Sequence, residues 1–222
     1  MKKSPSGNRI ENRLKSELQE NILRNICNNS KSDYSSLSQS LGKDRITILQ
    51  SIKSLIKNAF VVEENISPHH KKSKRIFQPT VKGICYSIAY LDASIDDMIK
   101  LFGDQGELAK YREFVTGVSD YRARVEFMRN CAKLMLELGL FDETGKSKVT
   151  SGKELFKIGL ASSLVSLSSE RNFDASKFFK NQSPDALKKI LTKSELKEIK
   201  NYLTELKGNI DEIMSGLVRQ LD

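Results

Sequence analysis

Residues 44 to 57, DRITILQSIKSLIK, decide how the chain is read. Ile48, Ile52, Leu55 and Ile56 recur at i, i+4, i+7 and i+8, which places them on one face of a helix with a 3.6-residue period. Ile46, Thr47, Gln50, Lys53, Ser54 and Lys57 project from the opposite face, a set of short polar, amide and basic side chains with one apolar member. A helix that lies in a DNA major groove needs such a set, because base edges present donors, acceptors and thymine methyls while the groove rims present phosphates. Exposed helix faces are polar in most proteins, so the reading rests on what flanks this helix.

On the N-terminal side, Arg9 to Asn28 places Ile10, Leu14, Leu18, Ile22 and Ile26 at steps of four, which predicts an amphipathic helix. Asp33 stands where it can cap a short helix, YSSLSQSL, with Leu37 and Leu41 turned inward. Gly42 suits a left-handed stop, and Asp44 caps the next helix. The order is helix, short helix, tight junction, helix, which is that of a helix-turn-helix. On the C-terminal side, Phe60 to Ile66 and Arg75 to Gln78 are β-prone, with SPHHKKSK between them, and so predict a hairpin. Its loop carries Lys71, Lys72 and Lys74, and Arg75 begins the second strand. Four cations on a projecting tip suit phosphate contact or insertion into a minor groove, with a solvated basic turn as the bland alternative.

These residues carry a family resemblance. The Ile48, Ile52, Leu55 spacing, the exit Asn58-Ala59-Phe60-Val61, the basic hairpin and the Thr80-Val81-Lys82-Gly83 opening of a further helix make Tyr34 to Leu91 resemble the winged helix-turn-helix domains of prokaryotic, especially archaeal, transcription regulators. Ala59 stands where that family commonly has glycine. The resemblance implies that the outward face of residues 44 to 57 enters a major groove and that the wing, residues 67 to 75, touches the adjacent backbone or minor groove.

The balance of charge points the same way. The 222 residues carry a formal net charge of +9; residues 1 to 91 hold 16 Lys and Arg against 7 Asp and Glu, whereas the remainder holds 21 of each. Solubility would not confine the excess to one end, but a module for binding a polyanion would, with nucleic acid the first candidate and an anionic membrane surface the second. No apolar run approaches the roughly 18 residues of a membrane span, and MKKSPSGNR lacks the apolar segment of a secretion signal. A cytoplasmic, nucleoid-associated protein is therefore expected. Cys27, Cys85 and Cys131 are far apart, lack zinc spacing and sit among apolar residues, which predicts reduced core thiols.

Beyond Leu91 the pattern is more helical still. Residues 80 to 92 read as a fourth helix, and 95 to 102, 108 to 118 and 121 to 140 show helical spacing. From Leu138 to Leu155 the chain repeats the order of the first wing, so a second, degenerate winged unit is an open alternative. Residues 153 to 169 and a Ser183-Pro184 start add helices. Last comes a heptad seam, with Leu196, Leu203, Ile210 and Leu217 at a and Ile199, Leu206 and Ile213 at d. It either pairs with another subunit or packs back on its own chain.

The expected fold is mainly α: an N-terminal winged helix-turn-helix of three helices and a hairpin, then an α-helical region ending in a long heptad-patterned helix. The expected domains are a disordered basic arm at 1–8, the DNA-binding unit at 9–91, a helical domain at 92–182 and dimerising C-terminal helices at 183–222. The expected function is sequence-specific binding of double-stranded DNA as a homodimeric transcriptional regulator. Phosphate contacts fall to Lys43, Arg45, Lys53, Lys57, Lys71, Lys72, Lys74 and Arg75, and base reading to Ile46, Thr47, Gln50, Ser51 and Ser54. The alternative is a winged-helix adaptor holding a protein or RNA in a larger complex. No enzyme activity, metal or cofactor is expected, because His69 and His70 lie in the lysine-bearing loop without further ligands and Asp96-Asp97 sits at a helix start. A small-molecule or protein effector could occupy the C-terminal region.

Overall fold

Capping side chains set where each N-terminal helix begins. The computed structural model describes residues 14–66, 74–94, 96, 121–149, 151, 153–154, 156–161, 188 and 191–221. Helix α1 runs Glu17–Asn29, later than the Arg9 start expected from periodicity. The reason is Ser16, whose hydroxyl accepts the Gln19 N–H at 3.3 Å and fixes an extended residue before the first turn. Leu14 still packs on the core, and its N–H donates to the Tyr86 hydroxyl at 3.2 Å.

Helix α2 (Tyr34–Leu41) starts with a reciprocal capping box: Asp33 accepts from Ser36 N–H at 2.9 Å, and Ser36 Oγ accepts from Asp33 N–H at 3.0 Å. Gly42 ends it at φ +59°, as its position in the sequence requires. Asp44 then caps helix α3 (Arg45–Lys57), accepting from Thr47 N–H at 2.9 Å. Ile48, Ile52 and Leu55 of α3 are fully buried, and Ile56 packs at the edge of the same core.

The exit from α3 is a Schellman turn. Ala59 N–H donates to Ile56 C=O and Phe60 N–H to Leu55 C=O, both at 2.9 Å, with Ala59 left-handed at φ +58°. Strands β1 (Val61–Ile66) and β2 (Lys74–Pro79) form an antiparallel pair, in register from Val61 opposite Pro79 to Ile66 opposite Lys74. On its other edge β2 meets a single residue between α1 and α2. Ser32 and Phe77 exchange both backbone bonds, at 3.0 and 2.8 Å, which ties the hairpin to the first two helices.

Helix α4 (Val81–Tyr90) is buried on nearly every side. Thr80 caps it by accepting the Gly83 N–H at 3.1 Å, and donates its own hydroxyl to Ala59 C=O at 2.6 Å. A Cβ at Gly83 would overlap the Phe60 carbonyl oxygen, so glycine here lets α4 press against the α3 exit. One face of α4 meets α1 and β2, and another meets helix α5 (Tyr121–Glu137). One apolar cluster therefore runs through both halves, joining Phe60, Phe77, Ile84 and Ile88 to Phe127, Cys131, Met135 and Phe141. It does not stop at residue 91.

The end of α5 repeats the α3 exit. Gly139 N–H donates to Leu136 C=O at 3.2 Å and Leu140 N–H to Met135 C=O at 3.0 Å, with Gly139 at φ +63°. A short hairpin comes next, held by a bridge between Phe141 and Ser147. Backbone at 156–161 is helical. Helix α6 runs Lys193–Leu221 from a Thr192–Glu195 capping box. The molecule is mainly α with one small two-stranded antiparallel sheet. No helix among the described residues is long and apolar enough to cross a membrane. The expected arm 1–8, the helices at 95–102 (Asp96 apart) and 108–118, Gly152 and the Ser183-Pro184 start lie outside the described residues.

Candidate nucleic-acid interface

Helix α3 has its apolar face fixed by the core, so its outward side chains are fixed too. Ile46, Gln50, Lys53 and Lys57 fall at i, i+4, i+7 and i+11 and form one exposed stripe. Ile46 is the one apolar member, and it is 68% exposed. Arg45 at the helix start and Lys43 in the preceding turn are also exposed. Lys43, Lys53 and Lys57 make no side-chain bond or ion pair among the described residues.

Three residues assigned to base reading are set differently. Thr47 is half-buried, and its hydroxyl donates to the Asp44 carboxylate at 2.6 Å, so its proton is committed to the cap. Those Thr47 bonds hold the Asp44 carboxyl below its usual range. Ser54 is half-buried beside Asn58, whose amide donates to the Ser54 carbonyl at 2.9 Å. Ser51 is half-buried as well. Ile46 and Gln50 are the assigned base readers that stand fully outward.

Two of the hairpin's cations, Lys74 and Arg75, are paired with carboxylates. Lys74 forms an ion pair with Asp33, the cap of α2, and Arg75 Nε lies 3.3 Å from Glu63 across the strand pair. The Lys74 bond and the Ser36 N–H hold the Asp33 carboxyl below its usual range. A phosphate approaching either cation would compete with a carboxylate. Lys71 and Lys72 lie outside the described residues, as do His69 and His70.

Tyr34 is a residue that the helical period alone does not single out. Its ring meets Phe77 edge-on at 4.7 Å and lies under the Arg45 guanidinium at 5.8 Å. Burial and the Glu63 carboxylate push its phenol up, against a hydrogen bond with Arg75 and the charge of Arg45. It therefore links α3 to the hairpin. Its place directly after the cap Asp33 is the signal that could have found it.

Outside this face the chemistry is quiet. No group of His, Cys, Asp and Glu among the described residues could hold a metal ion. Cys27, Cys85 and Cys131 are buried and unbridged; burial pushes the Cys27 thiol up to about 12 and the Cys85 thiol up as well. The heptad residues divide along α6. Ile199 is buried and Leu196 and Leu206 are half-buried, whereas Leu203, Ile210, Ile213 and Leu217 are exposed. Near its start α6 is held by its own chain, through the Lys153–Glu198 ion pair and Lys157 over the Tyr202 ring at 4.7 Å.

Comparison of the chain with family models, with curated proteins and with solved structures returns no match.

Proposed function

We propose that residues 17 to 91 form a winged helix-turn-helix unit and that the protein binds double-stranded DNA sequence-specifically as a transcriptional regulator. The observation that carries this reading is the α3 stripe, with Ile46 and Gln50 outward, Lys53 and Lys57 beside them, and Ile48, Ile52 and Leu55 fully buried on the opposite face. Support also comes from the Ser32–Phe77 rung, a single-residue bridge that joins the segment between the first two helices to the edge of β2. In this reading α3 enters the major groove. Gln50 offers a bidentate amide to adenine, Ile46 an apolar contact to a thymine methyl, and Lys43, Arg45, Lys53 and Lys57 meet phosphates. The basic hairpin reaches the neighbouring backbone or minor groove.

The test is selection of bound sequences from random duplex DNA, followed by titration at several salt concentrations. Neutralising about six phosphates gives a slope of log K against log[salt] of about −5. Lys53→Ala with Lys57→Ala should weaken all sequences alike and reduce that slope by about two, whereas Gln50→Ala should relax one selected position at a cost of about 1–3 kcal/mol. Binding without salt dependence, or none, overturns the proposal.

One observation favours a second reading. Lys74 and Arg75 of the hairpin are paired with carboxylates, and Ile46 on α3 and Val62 on β1 expose apolar surface, which suits an adaptor that holds a protein partner. For an adaptor, Ile46→Asp would abolish capture of the partner while double lysine replacement would not.

A further inference from the structure

We infer that the outer two thirds of α6 is an interface with a second copy of this chain, paired seam to seam as a coiled coil. The inference is independent of whether the protein binds DNA. Beyond Tyr202 the helix carries Leu203, Ile210, Ile213, Met214, Leu217 and Val218, each between 37% and 62% exposed. Ile199 is buried and Leu196 half-buried within the chain, and beyond Tyr202 Leu206 is the one half-buried seam residue, so the seam open to a partner begins at Leu203.

A lone helix of this composition would not hold. Gly208 and Gly216 lie within it, with nothing within 4 Å of where a Cβ would be, and each weakens an exposed helix by about 1 kcal/mol relative to Ala. Packing along the seam is what would maintain it. The period identifies the shape of the occupant: a and d positions repeating every 3.5 residues are matched by another helix with the same repeat.

The charges beside the seam suit a second copy. Flanking residues at e and g choose among partners, and between Leu203 and Val218 these are Lys207, Asn209, Met214 and Gly216. Lys207 is the one charge there, and in a parallel pair it faces Tyr202 of the second copy, so no like charges meet. Across α6 as a whole, five Lys and Arg balance five Asp and Glu. An anionic lipid surface fits less well, because Asp211 and Glu212 stand beside the most exposed part of the stripe.

Sedimentation equilibrium of the full chain, without DNA, at about 50 µM tests the inference. The expected mass is twice 25.1 kDa. Ile213→Asp should return it to the single-chain mass, raising the dissociation constant at least about a hundredfold, while the thermal unfolding of the body is unchanged. Thr204→Asp, on the outer face of the helix, should leave the dimer intact. A wild-type chain that sediments at 25.1 kDa overturns the inference, and co-sedimentation with phosphatidylglycerol vesicles would then assign the stripe to lipid. A dimer that survives Ile213→Asp places the contact elsewhere and overturns it equally.

Discussion

Two helix exits in this molecule share one backbone and do different work. After α3 and after α5 the same pair of Schellman bonds closes over a left-handed residue, Ala59 in one case and Gly139 in the other. The first exit leads into two six-residue strands, with basic residues at the far end of the pair. The second leads into a hairpin with one bridge, whose turn is pulled tight by Asp142, accepting from Thr144 and Lys146 N–H at 2.8 and 2.9 Å. That turn then docks back on the first exit. Gly145 C=O accepts the Lys82 N–H at 2.9 Å, at the start of α4. A shared local motif thus sets the direction of the chain, and the length and charge of the downstream strands decide whether the hairpin projects or is used as an internal brace.

Replacing the two glycines of the second exit separates brace from turn. At Gly145, φ is +78° and a Cβ would lie 2.6 Å from Thr80 Oγ1 and overlap the Ala59 carbonyl oxygen. Gly145→Ala should therefore cost about 3 kcal/mol, the sum of left-handed strain and overpacking. At Gly139 nothing lies within 4 Å, so Gly139→Ala should cost only the strain, about 1 kcal/mol. Urea unfolding of both variants checks the ratio, and equal losses would mean that the docked turn contributes nothing. The first exit offers the inverse change. Ala59→Gly relieves the same strain of about 1 kcal/mol but gives up a buried methyl worth about 0.8 kcal/mol, so the two nearly cancel and leave a net gain of about 0.2 kcal/mol. A Tm within about 1 °C of the wild type is the expected reading.

The smallest effect is in acid. Asp33 beside the first hairpin and Asp142 in the second both have carboxyls held below the usual 3.8, by Lys74 first in one case and by Thr144 first in the other. A depressed folded value means that the unfolded chain binds the proton more readily. The contribution is present above the unfolded value and is lost as pH falls through the folded one. At pH 5, Lys74→Met and Asp142→Asn should each lower the urea midpoint slightly, and the difference from the wild type should vanish as pH falls through the depressed folded values. Variants that stay apart in acid would show that these carboxylates act by other means.

Local signals make much of this legible in the sequence. Asp33, Gly42, Asp44 and Thr80 stand at helix ends as their side chains require, and Ile48, Ile52 and Leu55 point inward as their spacing requires. The features that escape depend on groups far apart in the chain. One residue, Ser32, has no period to reveal that it will pair with Phe77. Ala59 occupies a glycine conformation because the Thr80 hydroxyl and the α4 start hold its carbonyl in place. Periodicity misplaces the start of α1 because the apolar spacing continues upstream of the Ser16 cap. At the candidate interface, exposure of Gln50 and Lys53 comes from the helical period, whereas the use of the Thr47 hydroxyl by Asp44 and the pairing of Lys74 and Arg75 need the tertiary structure.

The burial of α4 on nearly every side bears on how such a protein can be inherited. A binding unit that is passed between genes as a cassette must keep its apolar surface for itself. Here Ile84, Cys85 and Ile88 share one core with Phe127, Cys131 and Met135, so a recombination point near residue 91 would leave both products with an uncovered face. The N-terminal helices, the first hairpin, α5 and the helical backbone that carries Ile158 into the same core are bound to travel together, and a new C-terminal region could be acquired only beyond Ile158.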